Sequence, residues 1–142
     1  MVTSGSAEAS EYAGIEVWSG KLVLNDSRIT VSTDKIRYSN SILGIGIQGG
    51  EVTMNGGAIT IKSHGSTKTK YDYVGAVFAG GSAEKVVNLN GVEISMLNAR
   101  GELYGESAKY LFAWGGHTIL NTTDVVTDTD VRVLNGGTYA IQ

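Results

Sequence analysis

The chain has 142 residues, a formal net charge of −3, 20 glycines, and neither cysteine nor proline. A chain of this length suits one domain with its own core, and its small negative charge provides no general attraction for nucleic acid or an acidic membrane surface. The lack of cysteine excludes disulfides, thiol nucleophiles and Cys-ligated metal sites, while the abundant glycine favours β-structure rich in turns.

The N-terminal residues 1–13 are predicted to be a flexible lead-in to a single β-helical segment, residues 14–142. The first dozen residues lack the basic start and the apolar stretch of a secretion signal. No apolar run in the chain approaches the roughly 20 residues that span a bilayer, so we expect no direct insertion of this segment into a membrane. We expect the segment to be a piece of a longer protein.

A ten-residue pattern recurs along the chain, and each copy has Leu or Met directly before Asn. One copy, VTMNGGAITI (52–61), shows its two alternating apolar arms around a turn. The first four copies lie 30, 35 and 31 residues apart, but the fifth follows after only 14. Four units therefore have a period typical of solenoids. The repeated residues are Asn25, Asn55, Asn90, Asn121 and Asn135.

A shorter block that ends in a glycine turn precedes each of the first four copies. These blocks are IEVWSG (15–20), IGIQGG (45–50), AVFAGG (76–81) and LFAWGG (111–116). Each unit thus contains an alternating strand, a Gly turn, a second strand, an Asn turn and a third strand. The third unit is longer because SAEK (82–85) adds four residues after its Gly turn.

The aligned copies predict which side chains face the core, because side chains alternate between the two faces of a strand. One apolar column contains Leu24, Met54, Leu89, Leu120 and Leu134. A second contains Ile29, Ile59, Ile94, Val125 and Tyr139. Like residues stacked in columns predict an all-β solenoid, a parallel β-helix of about four coils with three strands per coil. The repeated Asn side chains would then form a hydrogen-bonded ladder along the axis.

An antiparallel β-meander, or more distantly a β-prism, is the alternative to the parallel β-helix. In a meander each Asn turn would close a true hairpin, since Asn and Gly tolerate the positive φ of a tight turn. The two folds differ in pairing. In a hairpin residues 52–54 pair with 59–61, whereas in the helix each arm pairs with the corresponding arm of the next unit.

The LNG and MNGG units with their alternating arms, spread over roughly residues 14–142, resemble the pectin-lyase-like right-handed parallel β-helices. Among these they are similar to the passenger domains of bacterial autotransporter adhesins. The resemblance implies a non-enzymatic, rigid β-helical stalk, displayed on a bacterial surface or secreted, that presents loops for attachment to a host protein or glycan. It implies no cofactor. The absence of cysteine is typical of such passengers.

Two groups of residues are candidates for binding. Trp18 and Trp114 share a column with Gln48 and Ala79, and their outward indoles would stack on sugar rings or anchor a protein, unless the variable segments fold over them. The loop KSHGSTKTKYDY (62–73) contains Lys68, Lys70 and Tyr71, which suit an acidic glycan. The alternative for this loop is a mobile polar insertion.

An acidic stretch near the C-terminal end is the candidate for a metal site. Asp124, Asp128 and Asp130 in TDVVTDTD would point to one face of an extended strand, so that Asp128 and Asp130 could share a cation such as calcium. That pattern would suit a polysaccharide lyase or hydrolase, the competing function. The alternative is a solvated turn.

The sequence is also compatible with two roles that need no ligand. One is a purely structural spacer that holds a distal binding domain away from a membrane. The other is end-to-end self-association, since VRVLNGGTYAIQ (131–142) ends the chain with an alternating strand pattern and open strand edges invite pairing.

Overall fold

The computed structural model describes residues 2–4, 11–33, 41–63, 74–98, 108–125, 131–134 and 137–141. These residues contain β-strands and no helix, so the predicted all-β class is confirmed for them. No described segment forms a helix that could cross a membrane. The strands are β1 (Val2–Ser4), β2 (Glu11–Val17), β3 (Lys21–Thr33), β4 (Ser41–Ile47), β5 (Gly50–Ser63), β6 (Val74–Ala79), β7 (Lys85–Asn90), β8 (Glu93–Asn98), β9 (Ala108–Trp114), β10 (His117–Thr123), β11 (Val131–Leu134) and β12 (Thr138–Ile141).

The described strands form two parallel sheets. The first sheet has the order β1-β3-β5-β7-β10-β12, with β8 also beside β5, and the second has the order β11-β9-β6-β4-β2. Strands of one unit pair with those of the next, so that Leu24 lies opposite Met54 and Met54 opposite Leu89. Residues 52–54 and 59–61 belong to the same strand, β5. This pairing excludes the antiparallel hairpin for the described strands and agrees with a parallel solenoid.

The second and third predicted arms of the first two units are continuous strands that bend at the Asn turn. The residue after the repeated Asn has a positive φ in three units: 47° at Asp26, 71° at Gly56 and 63° at Gly91. In the third unit the break is complete, and β7 and β8 are separate strands. The Asn turns therefore act as bends within a parallel sheet and reverse no strand.

The core lies between the two sheets, and the two predicted apolar columns form in the first three units. Met54 and Leu89 are fully buried, with Leu24 packed against them at the partly exposed edge. Ile29, Ile59 and Ile94 are likewise buried and lie opposite one another. From the second sheet, Ile45, Ile47, Val77, Ala79 and Leu111 complete the same cluster. Alternation in the sequence is thus enough to predict the core of these units.

The fourth unit has a different register from the predicted one. Asn121 lies opposite Asn88, and Leu120 lies opposite Val87, whereas the alignment placed them beside Asn90 and Leu89. A bend after Asn121 would require positive φ at Thr122, which is unfavourable for a β-branched residue. The bend instead falls at Asp124, whose φ is 51° and whose short polar side chain tolerates this conformation. Local similarity of LN pairs was therefore a poor guide here.

The predicted columns are also wrong for the fifth copy of the pattern. Leu134 pairs with Trp114 in the second sheet, and Tyr139 pairs with Thr118 in the first, so neither lies in its predicted column. In the segment RVLNGGTYAI, β11 therefore belongs to the second sheet and β12 to the first, which explains its irregular spacing. The Asn-Gly-Gly sequence suits either corner, and strand pairing decides between them. Asn135 lies outside the described residues.

The segment 1–13, predicted to be a lead-in, contains β1 and the first three residues of β2. Val2–Ser4 pair with Val31–Thr33, and β2 begins at Glu11 and pairs with β4. The other residues of that segment lie outside the described part of the chain, and its boundary stays a prediction.

Candidate functional site

The outer face of the first sheet presents aligned polar rows, because the residues between the core positions point away from the interior. The row nearest the Gly turns contains Lys21, Glu51, Val86 and Ile119. The next contains Val23, Thr53, Asn88 and Asn121, and the last contains Asn25, Asn55, Asn90 and Thr123. Two of these rows are therefore rich in side-chain amides.

The row at the bends is a hydrogen-bonded Asn ladder. Asn55 donates from Nδ2 to Oδ1 of Asn25 over 2.9 Å, and Asn90 donates from Nδ2 to Oδ1 of Asn55 over 2.8 Å. Three of the five predicted rungs are thus joined in the described structure. Asn121 belongs to the neighbouring row, because β10 pairs with β7 two residues away from the predicted register. Thr123 takes the predicted place of Asn121 opposite Asn90.

The middle row is a second hydrogen-bonded chain that the sequence did not predict. Asn121 donates to Oδ1 of Asn88 over 2.6 Å, and Asn88 donates to Oγ1 of Thr53 over 2.9 Å. The Asn88 amide also contacts Oε1 of Glu51 over 3.1 Å, which links this row to the one nearest the Gly turns. Only the register of β10 in the structure places Asn121 in line with Asn88 and Thr53.

An open cleft of about 360 Å³ lies where the Gly turns enter the first sheet. Its lining residues are Gly20, Lys21, Gly50, Glu51, Glu84 and Val86. The ammonium of Lys21 lies 3.3 Å from Oε2 of Glu51, and this exposed pair contributes little to stability. A sequence signal for the pair existed, since Lys21 and Glu51 both follow the last residue of a Gly turn in aligned units.

Trp18 lies two residues before Gly20 at this corner, and its side chain is 71% exposed. Val23, on the outer face of β3, is the other large exposed hydrophobic residue among those described. Trp18 and Gly20 belong to the same turn between β2 and β3, and Gly20 lines the cleft. Together, Trp18, the cleft and the middle row form the candidate binding corner.

Trp114 has a different environment from Trp18. Its ring centroid lies 5.9 Å from that of Phe78, which in turn lies 6.0 Å from Phe112. Trp114 is partly buried, and Phe112 is fully buried although it alternates with core residues of β9. The sequence correctly placed Trp18 and Trp114 in one column, but the structure separates them into an exposed ring and a member of an aromatic cluster.

The residue of the third unit in the tryptophan column is Gly80. Ala79 pairs with Ile47 and Ala113, and it is fully buried in the core. The predicted position of Ala79 between the two indoles was therefore wrong by one residue. The sequence alignment of AVFAGG with the other blocks superimposes their glycines. In the structure, the strands pair so that their core side chains lie side by side.

The remaining predicted site residues are placed as follows. Asp124 is exposed at the bend after β10. Lys68, Lys70, Tyr71, Asp128 and Asp130 lie outside the described residues. Within the described ranges, no group of three or more His, Asp or Glu side chains could hold a metal ion, and a calcium site stays a prediction.

His117, one of the two histidines, pairs across strands. Its Nδ1 lies 2.7 Å from Oγ1 of Thr138, which links β10 to β12.

Comparisons with protein-family models, curated proteins and solved structures give no match. The resemblance to autotransporter passengers therefore depends on the repeated sequence units, and the function must be argued from the site.

Proposed function

We propose that this chain is a non-enzymatic segment of a bacterial surface-displayed or secreted adhesin, and that its candidate binding corner binds a glycan. In this proposal the segment is a right-handed parallel β-helix of about four coils. The observation that carries the binding role is the 71% exposure of Trp18, in the turn whose Gly20 lines a cleft with charged side chains.

The chemistry of the corner suits a sugar. An indole face stacks on the apolar face of a pyranose ring, while carboxylates, amides and hydroxyls bond to its hydroxyl groups. Glu51, Thr53 and Asn88 provide those polar groups and already bond to one another. Neighbouring residues within one row are about 4.8 Å apart, the spacing of paired strands, so equivalent groups are presented along the axis. An extended glycan chain would meet several of them.

The scaffold supports such a role by holding the corner rigid. Parallel pairing fixes both sides of the cleft, since Lys21 lies opposite Glu51 and Glu51 opposite Val86. Binding sites on regular strands are held more accurately than sites on loops. A pre-formed site loses less conformational entropy when it binds its ligand.

The first test uses the two tryptophans as reporters. In a Trp114→Phe variant, Trp18 is the sole tryptophan, so a fluorescence titration with soluble β-glucan, chitin and uronan oligosaccharides monitors this corner alone. We expect a saturable change with at least one oligosaccharide. By calorimetry, Trp18→Ala should weaken that binding about tenfold, the order expected for loss of a stacking aromatic ring.

Arg28→Gln is the control, because Arg28 is an exposed side chain of β3 that lies beyond the bend at Asp26 and outside the cleft lining. It should leave the affinity unchanged. Unchanged affinity in Trp18→Ala would reject the corner as the site. The absence of binding to every oligosaccharide would reject glycan binding, and calcium-dependent cleavage of the uronan would support a polysaccharide lyase or hydrolase instead.

The Asn ladder favours a second candidate, a structural spacer. Its bonds between Asn25, Asn55 and Asn90 run along the stack and join one unit to the next. A spacer would be indifferent to every oligosaccharide. End-to-end self-association, which sedimentation at increasing concentration would detect, belongs to the same proposal.

A further inference from the structure

Lys85 is a fully buried lysine at the start of β7. It is the last residue of the insertion SAEK (82–85) that lengthens the third unit, and it pairs with Gly50 on one side and Thr118 on the other. A lysine is rarely buried completely unless its charge has a partner. Lys85 does not line the cleft, so its burial requires a separate explanation.

Three backbone carbonyls surround its ammonium group. Nζ donates to the oxygens of Gly81 over 2.9 Å, Ala83 over 2.8 Å and Gly115 over 3.2 Å. Each of its three N–H groups thus has an acceptor, and the carbonyl dipoles take the place of hydration. Within the described residues, no carboxylate forms an ion pair with Lys85.

The acceptors belong to two different corners of the molecule. Gly81 and Ala83 lie in the turn between β6 and β7, and Gly115 lies in the turn between β9 and β10. The ammonium therefore bonds the inserted turn to the next unit. The residues on either side of Lys85, Glu84 and Val86, both line the cleft.

We propose that Lys85 is a positioning residue for the binding corner: its ammonium occupies a cation site of three carbonyls and fixes the insertion, so that Glu84 and Val86 form one side of the cleft. The consequence for ligand binding rests on the proposed function. The fixing of the insertion is independent of any ligand and is tested separately.

The absence of cysteine makes an isosteric comparison possible. In a Lys85→Cys variant, the single thiol is alkylated under denaturing conditions, and the protein is then refolded. Bromoethylamine gives an S-aminoethyl side chain that restores the ammonium, and propyl iodide gives an S-propyl side chain of nearly the same shape without charge. The two products differ only in the group that the three carbonyls contact.

The readout is cleavage by a glutamate-specific protease, mapped by mass spectrometry. Glu84 is exposed in the insertion, while Glu93 is exposed in β8, beyond the bend at Gly91, and serves as the internal control. Loss of the ammonium removes the donor that holds the three carbonyls together, so we expect about tenfold faster cleavage after Glu84 in the S-propyl protein, with cleavage after Glu93 unchanged. The S-aminoethyl protein should match the unmodified chain.

Two results would overturn the proposal. Equal cleavage after Glu84 in the two alkylated proteins would show that the ammonium does not hold the insertion. Equal acceleration after Glu84 and Glu93 would show a general effect on stability instead of local positioning.

A fluorescence titration in the Trp114→Phe background then tests the cleft. The S-propyl protein should bind the oligosaccharide found for the unmodified chain about tenfold more weakly, and the S-aminoethyl protein should not. Unchanged affinity in the S-propyl protein would overturn the link to binding. If no oligosaccharide binds the unmodified chain, the proposed function is wrong, and the protease comparison still decides whether Lys85 holds the insertion.

Discussion

At the scale of single residues, the two buried polar side chains of the described residues, Lys85 and Thr118, differ in their hydrogen bonding. Lys85 has three carbonyl acceptors, whereas the buried hydroxyl of Thr118, on the opposite strand, has no hydrogen-bond partner. An unpaired buried hydroxyl costs stability, and a paired ammonium still loses its hydration. Burial accordingly lowers the pKa of Lys85 below its usual value of 10.5.

This pKa shift predicts how stability changes with pH. Between the lowered pKa of the folded chain and 10.5, the unfolded chain binds a proton that the folded chain has released, so the free energy of unfolding rises with pH in that window. Urea unfolding measures the free energy of unfolding of the unmodified protein and of Lys85→Met. As pH rises toward 10.5, this free energy should increase for the unmodified protein relative to Lys85→Met. A difference between the two proteins that does not change with pH would contradict the lowered pKa.

At the scale of elements, the bends and the Asn ladder determine how one unit stacks on the next. Asn55 is the central rung, because it donates to Asn25 and accepts from Asn90. Its side-chain hydrogen bonds replace hydrogen bonds to water, so each contributes only a small net free energy of stabilisation. The same bond is repeated from one unit to the next. The ladder thus adds to the backbone pairing of β3, β5 and β7.

The ladder predicts unequal costs for two similar substitutions. Asn55→Ala removes two side-chain bonds and should lower the free energy of unfolding by about 1–3 kcal/mol, whereas Asn25→Ala removes one and should cost about 0.5–1.5 kcal/mol. Chemical unfolding of the two variants in parallel measures both costs. Equal losses would indicate that Asn55 acts through its backbone bend alone.

At the scale of the whole molecule, each unit contacts mainly the units directly before and after it. Within the described residues, β4, β5, β6 and β7 have paired neighbours on both sides, while β2 and β12 have one neighbour each. In solenoids, stability is approximately a sum of unit and interface terms, so segments with fewer interfaces open more easily.

Native-state hydrogen exchange should show this gradient. Amides in β4 and β6 should exchange more slowly than those in β2, although the three strands belong to the same sheet. The comparison is internal, because all amides experience the same solution conditions. Equal protection of β2 and β4 would indicate that the described units open only as one cooperative block.

Much of this architecture was predictable because its signals are local. Alternating apolar residues identify strands, Gly and Asn mark corners, and a period near 30 residues implies that like residues stack. These signals correctly predicted the all-β class, the parallel pairing and the columns through Met54 and Ile59. They failed at Asn121 and Leu134, where similar short motifs match more than one register.

The sequence by itself thus determined that parallel strands stack around an apolar core in the described units, and it placed Trp18 and Asn55 at their corners. Only the tertiary structure decided which units pair in register, which indole stays exposed, and that Lys85 is buried. The physical reason is that register and burial depend on contacts between units. Those contacts minimise clashes and unpaired polar groups across the whole stack, and no short motif contains that information.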